Sequence, residues 1–162
     1  MKLHDRANKP GAPSLDVSLT IKAPCERILK AFFDPAALGA WWQVARTVTS
    51  PRTLGPYVVE WIPTEHRDDV LGRLGGIFRG TVMQFEPGRG FFVADAYWLP
   101  PDGDPIGPMA LDVACTAHPD GATTVRVSQT GFEESLRWRR YYDIVGLGWE
   151  RALASLKMLL EK

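Results

Sequence analysis

The sequence predicts an α+β fold in which a curved antiparallel sheet packs around one long C-terminal helix. Residues 136–162 contain no proline, and their apolar side chains recur every three or four positions, as on one face of an α-helix. Between residues 44 and 132, short apolar or alternating segments are separated by turns rich in glycine and proline, which is typical of antiparallel strands. A helix about 37 Å long cannot bury its apolar face alone, so the sheet is its expected partner.

The elements follow in a simple order. Residues 14–22 alternate apolar and polar side chains and predict a half-buried strand. Two short helices follow, one with Pro24 in its first turn and one that begins at Pro35 after the capping residue Asp34. The polar residues 63–75 predict a loop. Six further strands are predicted, at residues 44–49, 55–62, 76–86, 91–99, 109–118 and 123–132.

Composition limits the classes of function. The 162 residues suit one domain, expected at residues 14–162 after a flexible polar tail at residues 1–13. Nucleic-acid binders usually carry a basic excess, whereas here 19 Lys and Arg balance 19 Asp and Glu, so no nucleic-acid partner is expected. No apolar run approaches the ~20 residues of a membrane span, so membrane insertion is not expected either.

The cysteines and histidines suggest no metal or cofactor site. Cys25 and Cys115 form no CxxC or Cys/His motif, and both are expected to be plain buried thiols. A chain with so few cysteines and no signal peptide is expected in the reducing cytoplasm. His66 has three acidic neighbours, but no regular spacing fixes them, so a solvated loop is favoured over a metal site.

Four motifs in order resemble one known superfamily. They are IKAPCERILKAFFDPAALGAWW at residues 21–42, FRGTV followed by FEP at 78–87, VRVSQTGF at 125–132, and GWERAL at 148–153. The chain resembles the SRPBCC or START-like superfamily over residues 15–162. The most similar subgroup is related to the C-terminal domain of the activator of the ninety-kilodalton heat-shock-protein ATPase.

The resemblance implies the helix-grip fold. In that fold, six or seven antiparallel strands grip a long C-terminal helix, two short helices follow the first strand, and a hydrophobic cavity lies between sheet and helix. Members bind lipids, hormones or polyketides; some are aromatases or cyclases, and some regulate chaperones. The length and charge of residues 63–75 depart from the pattern, so the cavity entrance is expected to be specific to this protein.

Candidate ligand-binding residues are those that could line such a cavity. Apolar walls with a few polar groups are what a small-molecule site needs. The candidates are Trp42, Glu60, Trp61, Arg79, Trp98, Tyr141, Val145 and Trp149. For the aromatic residues, the alternative is a purely structural role in the core.

The sequence leaves the roles of two pairs of residues open. Gly146 and Gly148 each cost the helix about 1 kcal/mol relative to alanine, which either room for a ligand or close helix-to-sheet packing would explain. Glu60 and Arg79 each alternate with apolar neighbours along a strand. If they point inward, they could pair, orient a polar ligand or act in catalysis; if they point outward, they belong to a solvated sheet face.

The favoured function is the binding of a small hydrophobic molecule in the cavity, without a cofactor. One alternative is an aromatase- or cyclase-like enzyme that acts on a polyketide-type substrate and uses Glu60, Arg79 or a tyrosine. The other is a regulator of a chaperone ATPase, acting through protein contact with the chaperone. Monomer and homodimer both remain open, and the sequence favours binding over catalysis.

Overall fold

The computed structural model describes residues 14–162, and the predicted N-terminal tail lies outside the described residues. The helices are α1 (Cys25–Ala31), α2 (Pro35–Trp41) and α3 (Leu136–Leu160). The strands are β1 (Leu15–Ile21), β2 (Arg46–Thr49), β3 (Pro56–Trp61), β4 (Arg67–Asp68), β5 (Gly72–Arg73), β6 (Gly76–Glu86), β7 (Gly90–Leu99), β8 (Ile106–Ala117) and β9 (Thr123–Thr130).

Seven of these strands form one antiparallel sheet in the order β1-β9-β8-β7-β6-β3-β2. Strands β6 to β9 are consecutive neighbours, and β1 pairs with β9, so that β1 and β2 form the two edges. The long helix α3 packs against this sheet, with α2 beside it. The predicted α+β class and its helix-grip arrangement are confirmed.

The long helix begins and packs as its sequence predicts. The Ser135 hydroxyl accepts a hydrogen bond from the Trp138 N–H at 3.2 Å, which caps the first turn. Its apolar face is buried at both ends, at Trp138 and Tyr142 and again from Trp149 to Leu160, and is half-buried between them at Ile144 and Val145. A fully buried side chain such as Leu156 stabilises the fold by about 1.5–3 kcal/mol, so this face anchors α3 to the sheet.

The short helix α2 brings Trp42, the residue that follows its last turn, beside α3. An Asp34 carboxylate oxygen accepts a hydrogen bond from the Ala37 N–H at 2.9 Å and caps this helix. The Trp41 indole N–H donates to the Ala31 carbonyl at 2.9 Å, which ties α2 to α1. Because α2 is fixed at both ends, the position of Trp42 is fixed as well.

The structure differs from the predicted elements in two places. The region predicted as a loop, residues 63–75, contains the small β4–β5 hairpin, whose turn is closed by Asp68 accepting from the N–H groups of Val70 and Leu71 at 3.0 Å. Strand β8 begins at Ile106, three positions before the predicted start at 109, in a stretch where its pairing with β7 shifts register.

Candidate ligand-binding cavity

A cavity of about 530 Å³ lies between the inner sheet face and the middle of α3. The end of α2 and the segment that contains the β4–β5 hairpin complete its walls. Its lining residues are Trp42, Gln43, Trp61, Ile62, Thr64, Leu71, Leu74, Gly75, Phe78, Trp98, Gln129, Tyr141, Ile144, Val145, Gly148 and Trp149. None of these side chains carries a charge at neutral pH.

Six of the sixteen lining residues are aromatic. The ring centroids of Trp42 lie 4.7 Å from Trp149 and 5.1 Å from Trp61, and those of Trp98 and Tyr141 are 5.5 Å apart. The indole N–H of Trp61 donates to the Trp42 carbonyl at 2.9 Å, and that of Trp98 donates to the Gly75 carbonyl at 2.7 Å. Because backbone carbonyls accept from these N–H groups, the two indoles offer the cavity mainly apolar surface.

The buried side chains of Gln129, Tyr141 and Trp149 form a polar end of the cavity. Gln129, on β9, is 2% exposed, and its side-chain carbonyl accepts from the Trp149 indole N–H at 2.6 Å. Its amide nitrogen lies 3.3 Å from the Tyr141 hydroxyl and 3.2 Å from the Met109 sulfur. Burial raises the pKa of Tyr141 to about 12, so the phenol keeps its proton at neutral pH.

The cavity opens to solvent near the middle of α3. Ile62, just after β3, is 76% exposed, and Gln43 and Gly148 are exposed as well, so these three residues mark the mouth. A Cβ added to Gly148 would meet nothing within 4 Å, whereas one on Gly146 would lie 3.3 Å from the Leu15 methyl group. Gly148 therefore leaves space at the cavity, and Gly146 allows close packing against β1.

Ion pairs hold the wall formed by the β4–β5 hairpin to α3 and to the segment between β7 and β8. Leu71, which is 3% exposed, contributes to this wall from the β4–β5 hairpin. The Asp68 carboxylate, 7% exposed, accepts from the Arg140 guanidinium of α3 at 2.7 Å, and Arg73 pairs with Asp102 at 2.9 Å. These guanidinium hydrogen bonds lower the pKa of each aspartate to about 2, so both carboxylates are ionised in the folded protein near neutral pH.

The structure corrects the placement of two candidate residues. Glu60 lies on the outer sheet face, where it pairs with Arg46 at 2.9 Å, and Arg79 is exposed opposite Val58 on the same face. Successive strand residues point to opposite faces, so Glu60 cannot share the inner face with Trp61. The other six candidates all line the cavity: Trp42, Trp61, Trp98, Tyr141, Val145 and Trp149.

Several lining residues were not among the ligand-binding candidates predicted from the sequence. Phe78 could have been found, because it alternates with Arg79 and so points to the inner face. Gln129 carried a signal as well, since it follows Val125 and Val127 at the inward positions of β9. Leu71 and Leu74 lie in the hairpin segment, where no periodic pattern marks an inward side chain.

Comparison with known proteins assigns the chain to a family. The family model described as "Activator of Hsp90 ATPase homolog 1-like protein" (AHSA1) matches residues 22–161. The chain belongs to this family. Among curated proteins, no sequence match is found.

Solved structures of similar fold include several bacterial proteins. Protein MLL2253 from Mesorhizobium loti is 22% identical, with a TM-score of 0.69, covering 92% of this chain and 97% of that one. Ms6760 from Mycobacterium smegmatis is 18% identical, with a TM-score of 0.72 and coverages of 95% and 94%. The Aha1 dimer from Colwellia psychrerythraea is 17% identical, with a TM-score of 0.60 and coverages of 90% and 93%. At these identities the likeness concerns the fold.

The chemistry that this AHSA1-family cavity can support follows from its lining. Among the described lining residues, Tyr141 is the one titratable side chain, and a phenol whose pKa is about 12 is a hydrogen-bond donor rather than a base at neutral pH. Glu60 and Arg79, two of the groups on which the enzyme alternative relied, therefore cannot act inside the cavity.

Residues 14–162 also bear on metal binding and on membrane insertion. In that range, no group of three or more His, Cys, Asp or Glu side chains is placed to hold a metal ion. The described helices include none that is long and apolar enough to cross a membrane.

Proposed function

We propose that this AHSA1-family protein binds a small hydrophobic molecule in the cavity between the curved sheet and α3. The observation that carries the proposal is a cavity of about 530 Å³ that has an uncharged lining with six aromatic residues and opens to solvent beside Gly148. Ligand pockets usually measure about 300–1,000 Å³ and have mostly apolar walls with a few polar groups. The cavity meets both criteria.

The cost of keeping this space open supports a binding role. Protein interiors are close-packed and contain few voids larger than a water molecule. Gly148 lowers the stability of α3 by about 1 kcal/mol relative to alanine, although an alanine methyl group would meet no atom within 4 Å. Neither packing nor helix propensity accounts for glycine at this position, whereas access for a ligand does.

Native mass spectrometry of the protein purified from its own host tests the proposal. We expect the wild-type protein to carry an additional mass that disappears in Gly148→Leu, because the larger side chain would stand at the cavity mouth. Gly146→Ala is the matched control, because Gly146 faces Leu15 rather than the cavity, and it should keep the additional mass. The same proteins are then tested for binding of 2-ethylnaphthalene by equilibrium dialysis.

Three outcomes of these measurements support or contradict the proposal. Loss of both the additional mass and the 2-ethylnaphthalene binding in Gly148→Leu alone supports the cavity as the binding site. A wild-type protein that carries no additional mass and does not bind 2-ethylnaphthalene contradicts the proposal. Equal binding by the wild-type protein and Gly148→Leu also contradicts it, because the ligand would then occupy another surface.

A second candidate function is regulation of a chaperone ATPase, and the family description is the observation that favours it. The measurement is the ATPase rate of the Hsp90 from the same host, with and without the full chain. A rate that changes with added protein, together with recovery of the chaperone in a pull-down, would support this function. An unchanged rate with no recovery would dismiss it.

A further inference from the structure

The polar end of the cavity has more hydrogen-bond donors than strong acceptors. An indole nitrogen is a donor only, so the Trp149 N–H at 2.6 Å fixes the Gln129 carbonyl oxygen as its partner and turns the Gln129 amide nitrogen the other way. That nitrogen lies 3.2 Å from the Met109 sulfur and 3.3 Å from the Tyr141 hydroxyl. The hydrogen bond from Trp149 therefore fixes which side of the Gln129 amide carries the oxygen and which carries the nitrogen.

A thioether is the acceptor on which these donors converge. The Tyr141 O–H donates to the Met109 sulfur at 3.4 Å, and the Gln129 amide approaches the same atom. Thioether sulfur is a weak acceptor compared with a carbonyl oxygen. Tyr141 and Gln129 both line the cavity. A ligand oxygen at this end could therefore accept from the Tyr141 O–H, whose present acceptor is the weak thioether, and from the Gln129 N–H that now points to the same sulfur.

The remainder of the lining restricts the ligand further. An ion moved into such an environment without a charged partner loses its hydration and gains little in return. Flat indole and phenol rings line the walls, from Trp42 to Trp98, and such rings pack well against a planar molecule. The Tyr141 phenol stays protonated at neutral pH because burial raises its pKa to about 12.

We propose, on the basis of the binding function above, that the ligand is an uncharged, flat apolar molecule whose carbonyl oxygen accepts hydrogen bonds from Tyr141 and Gln129. The carbonyl oxygen lies at the polar end of the cavity, and the apolar body extends along the aromatic wall toward the mouth. Tyr141 and Gln129 thereby select for a carbonyl group, and the uncharged lining selects against a carboxylate.

Three naphthalene probes of similar size test this selection by equilibrium dialysis at pH 7. They are 2-acetylnaphthalene, a neutral ketone; 2-ethylnaphthalene, which lacks the oxygen; and 2-naphthoate, an anion. The variant is Tyr141→Phe, which removes the hydroxyl and keeps the ring. Tyr142→Phe is the matched control, because the Tyr142 hydroxyl donates to the Gly131 carbonyl and Tyr142 is not part of the cavity lining.

We expect Tyr141→Phe to weaken binding of the ketone about two- to tenfold, the range that corresponds to one neutral hydrogen bond. Binding of 2-ethylnaphthalene should be unchanged, and Tyr142→Phe should not alter the ratio of the two affinities. In the wild-type protein, 2-naphthoate should bind more weakly than the ketone. The infrared carbonyl stretch of bound 2-acetylnaphthalene should move to higher frequency in Tyr141→Phe, because the hydrogen bond is lost.

The comparison of ratios keeps this inference separate from the binding function itself. If Tyr141→Phe changes the affinities of the ketone and the hydrocarbon by the same factor, or if 2-naphthoate binds best, the inference is overturned. In those cases the binding function stands, provided that Gly148→Leu still abolishes binding. If the wild-type protein binds none of the three probes but carries an additional mass, the inference alone fails. If it also carries no additional mass, both the inference and the binding function fail.

Discussion

Replacing Gly148 by alanine should stabilise the protein while weakening its binding of ligand. Alanine is favoured over glycine inside a helix by about 0.8–1.0 kcal/mol. The added methyl group meets no atom within 4 Å, so no steric cost offsets this gain. For a chain of this size, such a gain raises the midpoint of thermal unfolding by about 2–4 °C.

The same methyl group should weaken the binding of ligand by an amount that follows from the contact it displaces. The methyl group occupies space that a ligand would otherwise fill, and one lost methylene contact corresponds to about 0.8 kcal/mol, or about a fourfold weaker Kd. Urea unfolding gives the free energy of unfolding of the wild-type protein and of Gly148→Ala. Equilibrium dialysis with 2-ethylnaphthalene gives the affinities.

Gly146→Ala is the control for this prediction. It makes the same change of residue type within α3, but its methyl group would lie 3.3 Å from Leu15 and not in the cavity. The control should therefore gain less stability and keep the wild-type affinity. If Gly148→Ala is no more stable than the wild-type protein, or if both variants lose affinity equally, the argument that Gly148 keeps the cavity open is refuted.

Three further predictions concern the parts that hold the site in place. Asp68→Asn breaks the ion pair with Arg140 and should lower the free energy of local opening of the β4–β5 hairpin by about 1–3 kcal/mol, seen as faster amide hydrogen exchange there. Glu134→Gln is the control: it breaks the separate Arg139 pair at 2.6 Å and should leave exchange in the hairpin unchanged. The pKa values of Asp68 and Asp102 are lowered to about 2, below the usual value near 3.9. The stability that these two carboxylates contribute is thus complete above about pH 4 and is lost as the pH falls toward 2. A plot of unfolding free energy against pH should therefore be flatter for Asp68→Asn than for the wild-type protein over that window. Equal slopes would contradict the lowered pKa of Asp68. Ser135→Ala should cost about 0.5–2 kcal/mol of stability, measured by urea unfolding, because it removes the cap of α3; an unchanged unfolding midpoint would show that the cap contributes nothing.

Most of the fold could be predicted from the sequence because its elements have regular periods. Strand β6 matches its predicted bounds of residues 76–86, and α3 begins at the predicted Leu136. The predictions were wrong where a segment was too short, or too rich in glycine and proline, to show a regular spacing of apolar residues. The β4–β5 hairpin has only two residues in each strand, and β8 begins in a stretch whose glycine and prolines look like a turn.

The site was less predictable because side-chain direction decides it. Trp61 and Glu60 are adjacent, and the alternation rule allows only one of them to face inward. The apolar residues Tyr57 and Val59, which alternate with Trp61, would have identified Trp61 as that residue. The contribution of Leu71 could not be inferred, since it depends on an ion pair between residues 72 positions apart, Asp68 and Arg140.

The close contacts among tryptophans at the cavity wall have an optical consequence. Trp41 and Trp42 stack with centroids 5.1 Å apart and planes within 6° of parallel, and Trp42 also contacts Trp61 and Trp149. At such distances, indoles share electronic excitation, so a change beside one ring alters the emission and the near-ultraviolet circular dichroism of the group. The protein thus carries an unlabelled reporter of whatever enters beside Trp42.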